Sequence, residues 1–179
     1  MKKFVVFVLL VLMITGCGKK TSGDVKENFI TKIEKKNSYL MKGTMNITSN
    51  EDVFSYNVTA AKDKENYRVN LVNQINNHEQ VILRNDDGVY VVTPSLNKSF
   101  KFQSDWPYSN SQIYLLKSLV NDIKNTKDIK FEEYKSGYKI VTTVNYPNNS
   151  KLVEQVIELN KKLDIKKVKV YDDNQAVMF

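Results

Sequence analysis

Cysteine and histidine occur once each in the 179 residues, as Cys17 and His78. A single thiol excludes a disulfide framework and any zinc site built on several thiolates. A single imidazole excludes a His-rich metal centre. Glycine is scarce, at 6 residues, which argues against a Gly-rich loop that cradles phosphate. The Gly-x-Ser-x-Gly and His-Glu-x-x-His patterns are absent as well. Arginine is nearly missing: 25 of the 27 basic residues are Lys, against 20 acids, and the formal charge is +7. No apolar run approaches the roughly 20 residues of a membrane-spanning helix. What is present, 41% hydrophobic and 26% charged residues, suits one globular domain and excludes disorder or coiled coil as the main state.

The N-terminus reads as an export signal. Lys2 and Lys3 precede an unbroken apolar run over 4–14, of signal-peptide length. The run ends in Ile14-Thr15-Gly16-Cys17, an aliphatic residue, two small ones and a cysteine. This order resembles the lipobox of bacterial lipoproteins, where the thiol takes a diacylglycerol and cleavage falls just before it. The expected organisation is a lipoprotein signal peptide over 1–16, a lipidated N-terminus and tether over 17–23, and one domain over 24–179. Cys17 is then an anchor and is not free for catalysis.

Val25, Phe29, Ile30 and Ile33 recur at helical spacing and predict a helix over 24–36, with Asp24 near its start. Period-2 segments follow. Tyr39, Met41, Gly43, Met45 and Ile47 share one strand face, as do Phe54, Tyr56, Val58 and Ala60, and then Tyr67, Val69 and Leu71. Asn85-Asp86-Asp87-Gly88 is a hairpin turn between two apolar strands, and Phe100 and Phe102 follow another turn. Ile113, Leu116, Leu119, Val120 and Ile123 predict a second helix, started by Ser109-Asn110-Ser111 as a capping cluster. Strands resume over 129–134, 138–144, 152–159 and 165–171, and a short one ends the chain at 176–179. About eleven antiparallel strands and two helices define an α+β class, with both helices packed on one face of a long sheet.

Three stretches carry a family likeness: 80–98, 106–119 (opening Trp106-Pro107-Tyr108) and 159–174. With the helix, six strands, helix, five strands order, they resemble the LolA/LolB-like lipoproteins, and within them the germination lipoproteins of spore-forming clostridia. The resemblance implies an incomplete antiparallel β-barrel with helices across one mouth. It also implies a partner, the N-acetylmuramoyl-L-alanine amidase that modifies spore-cortex peptidoglycan, and a place on the outer face of the cytoplasmic membrane or in the forespore and spore envelope. Such folds finish with a full closing strand, whereas this sequence stops part-way through one. An unpaired edge of that kind favours a strand-exchanged homodimer.

The remaining residues with chemical potential have simpler readings. Asp86-Asp87 and Asp172-Asp173 resemble paired carboxylates or calcium ligands, but both sit in turns where Asp bonds its own backbone. Glu132 and Glu133 point to opposite faces of one strand. His78 lies in a polar connection and reads as a loop residue rather than a general base. The lysines of 161–169 would face anionic lipid or an acidic partner, or simply solvate an edge strand against aggregation. Trp106 is a docking anchor or a buried plug. No cofactor or metal is implied, and export excludes nucleic acid. Two non-catalytic functions remain. One is a lipid-anchored protein that docks the amidase. The other is a carrier of lipid or lipoprotein, which needs an open cavity between sheet and helices; bulky Tyr39, Phe54, Tyr56, Tyr67, Phe100 and Phe102 are expected to fill it.

Overall fold

The computed structural model describes residues 21–108 and 110–179. The export signal, Cys17 and Ser109 lie outside the described residues.

Helix α1 (Ser22–Glu34) begins two residues before its expected start. Thr21 is the N-cap, and a capping box joins it to Asp24: the Asp24 N–H donates to Thr21 Oγ1, while the Thr21 N–H donates to Asp24 Oδ2. Helix α2 (Leu116–Asn125) departs further from expectation. Its N-cap, Leu115, makes no side-chain bond, so the cluster at 109–111 does not cap it. The Ser111 hydroxyl is committed elsewhere, to a buried carboxylate described below. The connection is held by Ser118 instead, whose Oγ accepts the Gln112 N–H at 2.6 Å.

The strands form two antiparallel meanders rather than one long sheet. The first runs β1 (Ser38–Ser49), β2 (Asp52–Asp63), β3 (Asn66–Asn73), β4 (Glu79–Asn85), β5 (Gly88–Thr93) and β6 (Lys98–Phe102), in sequence order across the sheet. The second runs β7 (Lys130–Tyr134), β8 (Gly137–Thr143), β9 (Leu152–Asn160) and β10 (Ile165–Asp172). Among the described residues ten strands form, not eleven, and they close no barrel. Residues 176–179 make only an isolated bridge, Tyr171 to Val177. They still join the two sheets: the Met178 N–H donates to Val170 O on β10 at 2.8 Å, and Met178 O accepts the Thr48 N–H of β1 at 2.9 Å. The two sheets thus meet through this segment along the β1 and β10 edges, while β6 and β7 are the opposite edges.

Each sheet has its own core. Both helices lay their apolar stripes on the four-stranded sheet, where Val25, Phe29 and Ile30 of α1 and Leu119, Val120 and Ile123 of α2 meet Tyr138, Ile140, Ile157 and Leu159. The six-stranded sheet gets no helix. Its apolar face, carrying Met45, Val58, Ala60, Tyr67, Val69 and Leu71, is covered by Leu115 with Trp106, Tyr108, Ile113, Tyr114 and Phe179. The apolar stripes of the helices therefore pack against one sheet, and Trp106, Tyr108, Ile113, Tyr114 and Leu115 take their place on the other.

Candidate functional site

The cover over the six-stranded sheet is incomplete, and this defines its most conspicuous surface. Cross-strand register aligns Val69 with Ile82, Ile82 with Val91, and Val91 with Phe100; one step along, Val89 aligns with Phe102. Phe100 and Phe102 thus share the apolar face that holds Val69, as the period-2 pattern expects. The expectation that they fill the interior fails, however: they are 56% and 49% exposed. All five β6 residues are exposed, and β6 is a sheet edge with one row of backbone donors and acceptors unpaired by any strand. Segment 106–115 covers β2 to β4 and does not reach β6. Phe54, also expected inside, lies near the β1–β2 turn and is 40% exposed. Tyr67 is buried as expected, and Tyr39 and Tyr56 are half-buried.

Trp106 is a plug. It is half-buried, packs edge-on to Tyr67 with ring centroids 6.0 Å apart, and its carbonyl accepts Arg84 Nη1 at 2.6 Å. Tyr108 stands beside it under two cations, with the Arg84 guanidinium 4.8 Å and the Lys117 ammonium 4.5 Å from its ring centroid. Its hydroxyl donates to Glu65, which together with Lys117 holds the Glu65 carboxyl below the usual range.

The other residues singled out from sequence do local work. Asn85 Oδ1 accepts the Asp87 N–H within the β4–β5 turn, and Asp172 Oδ1 accepts the N–H groups of Asn174 and Ala176. Neither acidic pair gathers a third ligand, and no group of three or more His, Cys, Asp or Glu is placed to hold a metal among the described residues. Glu132 and Glu133 diverge, toward Lys139 and Lys161 respectively. His78 is exposed, its Nδ1 3.4 Å from Ser95 Oγ. Of the lysine run, Lys167 aligns with Glu158, which aligns with Lys139 and then Glu132, so this row alternates in charge across four strands. That pairing, and the edge position of β10, fit a solvated face.

A buried polar seam was not legible as such. Ser111 Oγ donates to Asp122 Oδ1 on α2 at 2.7 Å and accepts the Asn145 N–H at 2.8 Å. Gln155, fully buried on β9, donates to Asp122 Oδ2 and to Thr142 Oγ1 at 3.4 Å each, and its own Oε1 has no partner. Thr126 closes the seam by accepting the Thr143 N–H at 3.0 Å. The sequence signal was present: Asp122 interrupts the apolar stripe of α2, and Gln155 falls in phase with Ile157 and Leu159 on β9.

Burial pushes the Asp122 carboxyl up from 3.8 to about 6, against the opposing bonds from Ser111 and Gln155. The folded state therefore holds this proton more tightly than the unfolded chain. Stability from this group is full below pH 3.8 and declines as pH rises to about 6, at a total cost of about 3 kcal/mol at 1.36 kcal/mol per unit. Asp122→Asn removes the charge, keeps an acceptor for Ser111, and brings an amide donor to the unpartnered Gln155 Oε1. The variant should unfold at higher urea at pH about 7.5, gaining about 1–3 kcal/mol, with the gain gone near pH 4. Equal destabilisation at both pH values would show that the carboxylate itself is required.

No protein-family model matches the chain. It is similar to the sporulation protein YdcC of Bacillus subtilis (strain 168), at 42% identity over 182 residues that cover 99% of this chain. They cover 54% of the relative, so the chain spans about half the length of the curated protein it matches. Its fold is similar to that in the structure of the CwlD amidase from Clostridioides difficile in complex with the GerS lipoprotein. The TM-score is 0.50 and identity 16%, over 90% of this chain and 92% of that one. A DUF1329 family protein from Desulfovibrio piger ATCC 29098 gives a TM-score of 0.40 at 10% identity, over 86% and 73%.

Proposed function

We propose that this chain is a non-catalytic lipoprotein of sporulation, anchored through Cys17, that docks a cortex N-acetylmuramoyl-L-alanine amidase so that the cortex can be modified and later degraded. The observation that carries this reading is the likeness over 99% of the chain to a sporulation protein. The fold shared with a structure of an amidase in complex with a germination lipoprotein supports the choice of partner. The β6 edge supplies a surface of the right kind, with two exposed aromatics beside unpaired backbone groups on a rigid sheet. Docking asks for no nucleophile and no cofactor. It asks for a patch burying roughly 1,200–2,000 Å² with the partner, and a shared membrane would raise the effective concentration of both.

A carrier would need an apolar cavity beneath the six-stranded sheet. Residues 106–115 and Phe179 occupy that space, so the carrier reading has no observation in its favour.

The test is co-purification of the lipoprotein with the amidase of the same organism. The double variant Phe100→Ser/Phe102→Ser should stay folded, since both rings are about half exposed. It should lose amidase binding by at least about tenfold, as loss of central aromatic anchors does. Wild-type retention of the amidase by the double variant would remove β6 from the interface. Failure of the native lipoprotein to bind any sporulation amidase would sink the proposal.

A further inference from the structure

A cleft of about 300 Å³ opens at the other edge of the six-stranded sheet, far across the strands from β6. It lies where the end of α1, the start of β1, the β2–β3 turn and the start of α2 converge, and Ile33, Tyr39, Lys36, Lys62, Lys117 and Asn121 are among its walls. Its size is at the lower end for small-molecule sites.

The cleft has more hydrogen-bond donors than its own acceptors use. The Tyr39 hydroxyl is buried with no acceptor for its proton; the polar group that bears on it is itself a donor, the Leu116 N–H at the start of α2. The Lys36 ammonium, also in the wall, has no carboxylate within ion-pair distance among the described residues. The two acids present are already engaged: Glu34 is paired with Lys124, and Glu65 takes the Tyr108 hydroxyl with Lys117 beside it. Lys62 donates to Asn37 O at 3.2 Å and keeps the rest of its donor capacity. The first turn of α2 bears on the same space through Lys117, and its N-cap Leu115 makes no side-chain bond, so its amide ends add to the pull on negative charge. Lysine ammoniums arriving from three elements are point charges. They suit a tetrahedral anion better than a planar carboxylate, which favours the flat fork of arginine, and none lines this cleft.

We propose that this cleft binds a phosphate monoester, with Lys36, Lys62 and Lys117 around the anion, the Tyr39 hydroxyl donating to it, and Ile33 against its carbon portion. The site is separate from the β6 edge, so it stands or falls independently of amidase docking.

The test uses the isotope-labelled protein, without any amidase. Inorganic phosphate and glycerol phosphate are titrated while amide shifts are followed at constant ionic strength. Shifts should saturate and centre on residues 36–39, 62–65 and 117–121. Lys36→Gln and Tyr39→Phe, with thermal midpoints measured alongside, should each weaken binding about tenfold, the effect of losing a hydrogen bond to a charged group. Vesicles of phosphatidylcholine with and without phosphatidic acid separate the sources. Binding only with phosphatidic acid, lost in Lys36→Gln, identifies a lipid headgroup. Tighter binding of glycerol phosphate than of inorganic phosphate, with no vesicle binding, identifies a soluble monoester, whereas equal binding of the two would overturn the monoester reading. Shifts spread over all surface lysines and unchanged in both variants, or no shift with any probe, would overturn the proposal.

Discussion

Gly137→Ala should leave little or no folded protein, while Gly43→Ala, also within a strand, should be neutral or slightly stabilising. A Cβ placed on Gly137 would sit 1.8 Å from the carbonyl oxygen of Leu159 and 2.9 Å from its carbonyl carbon. These are backbone atoms of β9, in the β8–β9 ladder that pairs Gly137 with Asn160 and Tyr138 with Leu159. Nothing there can swing aside. Relief would require parting the ladder next to Tyr138 and Leu159, both in the core under the helices. Overpacking by one methyl usually costs about 1–3 kcal/mol where side chains can adjust, and a backbone clash this close belongs above that range. Against a total stability of about 5–15 kcal/mol, such a loss is severe. Gly43 has nothing within 4 Å of its Cβ position. There Ala mainly reduces the freedom of the unfolded chain, worth about 0.4–1 kcal/mol in favour of folding. Urea unfolding of the two variants side by side checks this. A folded Gly137→Ala protein with a midpoint near wild type would show that the β8–β9 pairing is looser than described.

Cys17→Ala should abolish incorporation of labelled palmitate and move the protein from the membrane to the soluble fraction. Each buried methylene of an acyl chain contributes about 0.8 kcal/mol, so two chains hold firmly where one would be marginal. Among the described residues no helix is long and apolar enough to cross a membrane. With the thiol gone, the attraction of the folded domain itself to the bilayer would come from lysines, which salt screens. Label and membrane fractionation that both persist in the variant would refute lipidation at Cys17. If the label goes while the protein stays on the membrane, a second attachment exists, and vesicle binding by the cleft is the first place to look.

Much of the architecture could be read from local pattern. Alternation at Tyr67, Val69 and Leu71, the turn at Asn85-Asp86-Asp87-Gly88, and the stripe of Leu119, Val120 and Ile123 each specify an element through side chains a few residues apart. The acidic pairs were readable as turns for the same reason, because the side-chain bonds of Asn85 and Asp172 in those turns close within two to four residues. Other features were misplaced. Ser111 has the chemistry of a helix cap, yet its hydroxyl serves Asp122, eleven residues away. Gly137 stands out in no local pattern, yet its missing side chain is what lets the start of β8 approach Leu159 of β9. Phe100 and Phe102 have the right phase for the interior, yet phase fixes only the face of a strand and not what lies over it.

The sequence by itself determined most of the elements, their order, the faces of the strands and the absence of the usual catalytic patterns, because these follow from periodicity and residue chemistry over a few positions. The tertiary structure alone decided that the sheet divides in two and that both helices serve the smaller part. It also decided that the cover stops short of β6, and that Tyr39 and Lys36 line a cleft with donors to spare. Those outcomes depend on which of several distant segments buries a surface best. Burial, pairing and exposed remainder are properties of that competition, and no local stretch of chain contains them.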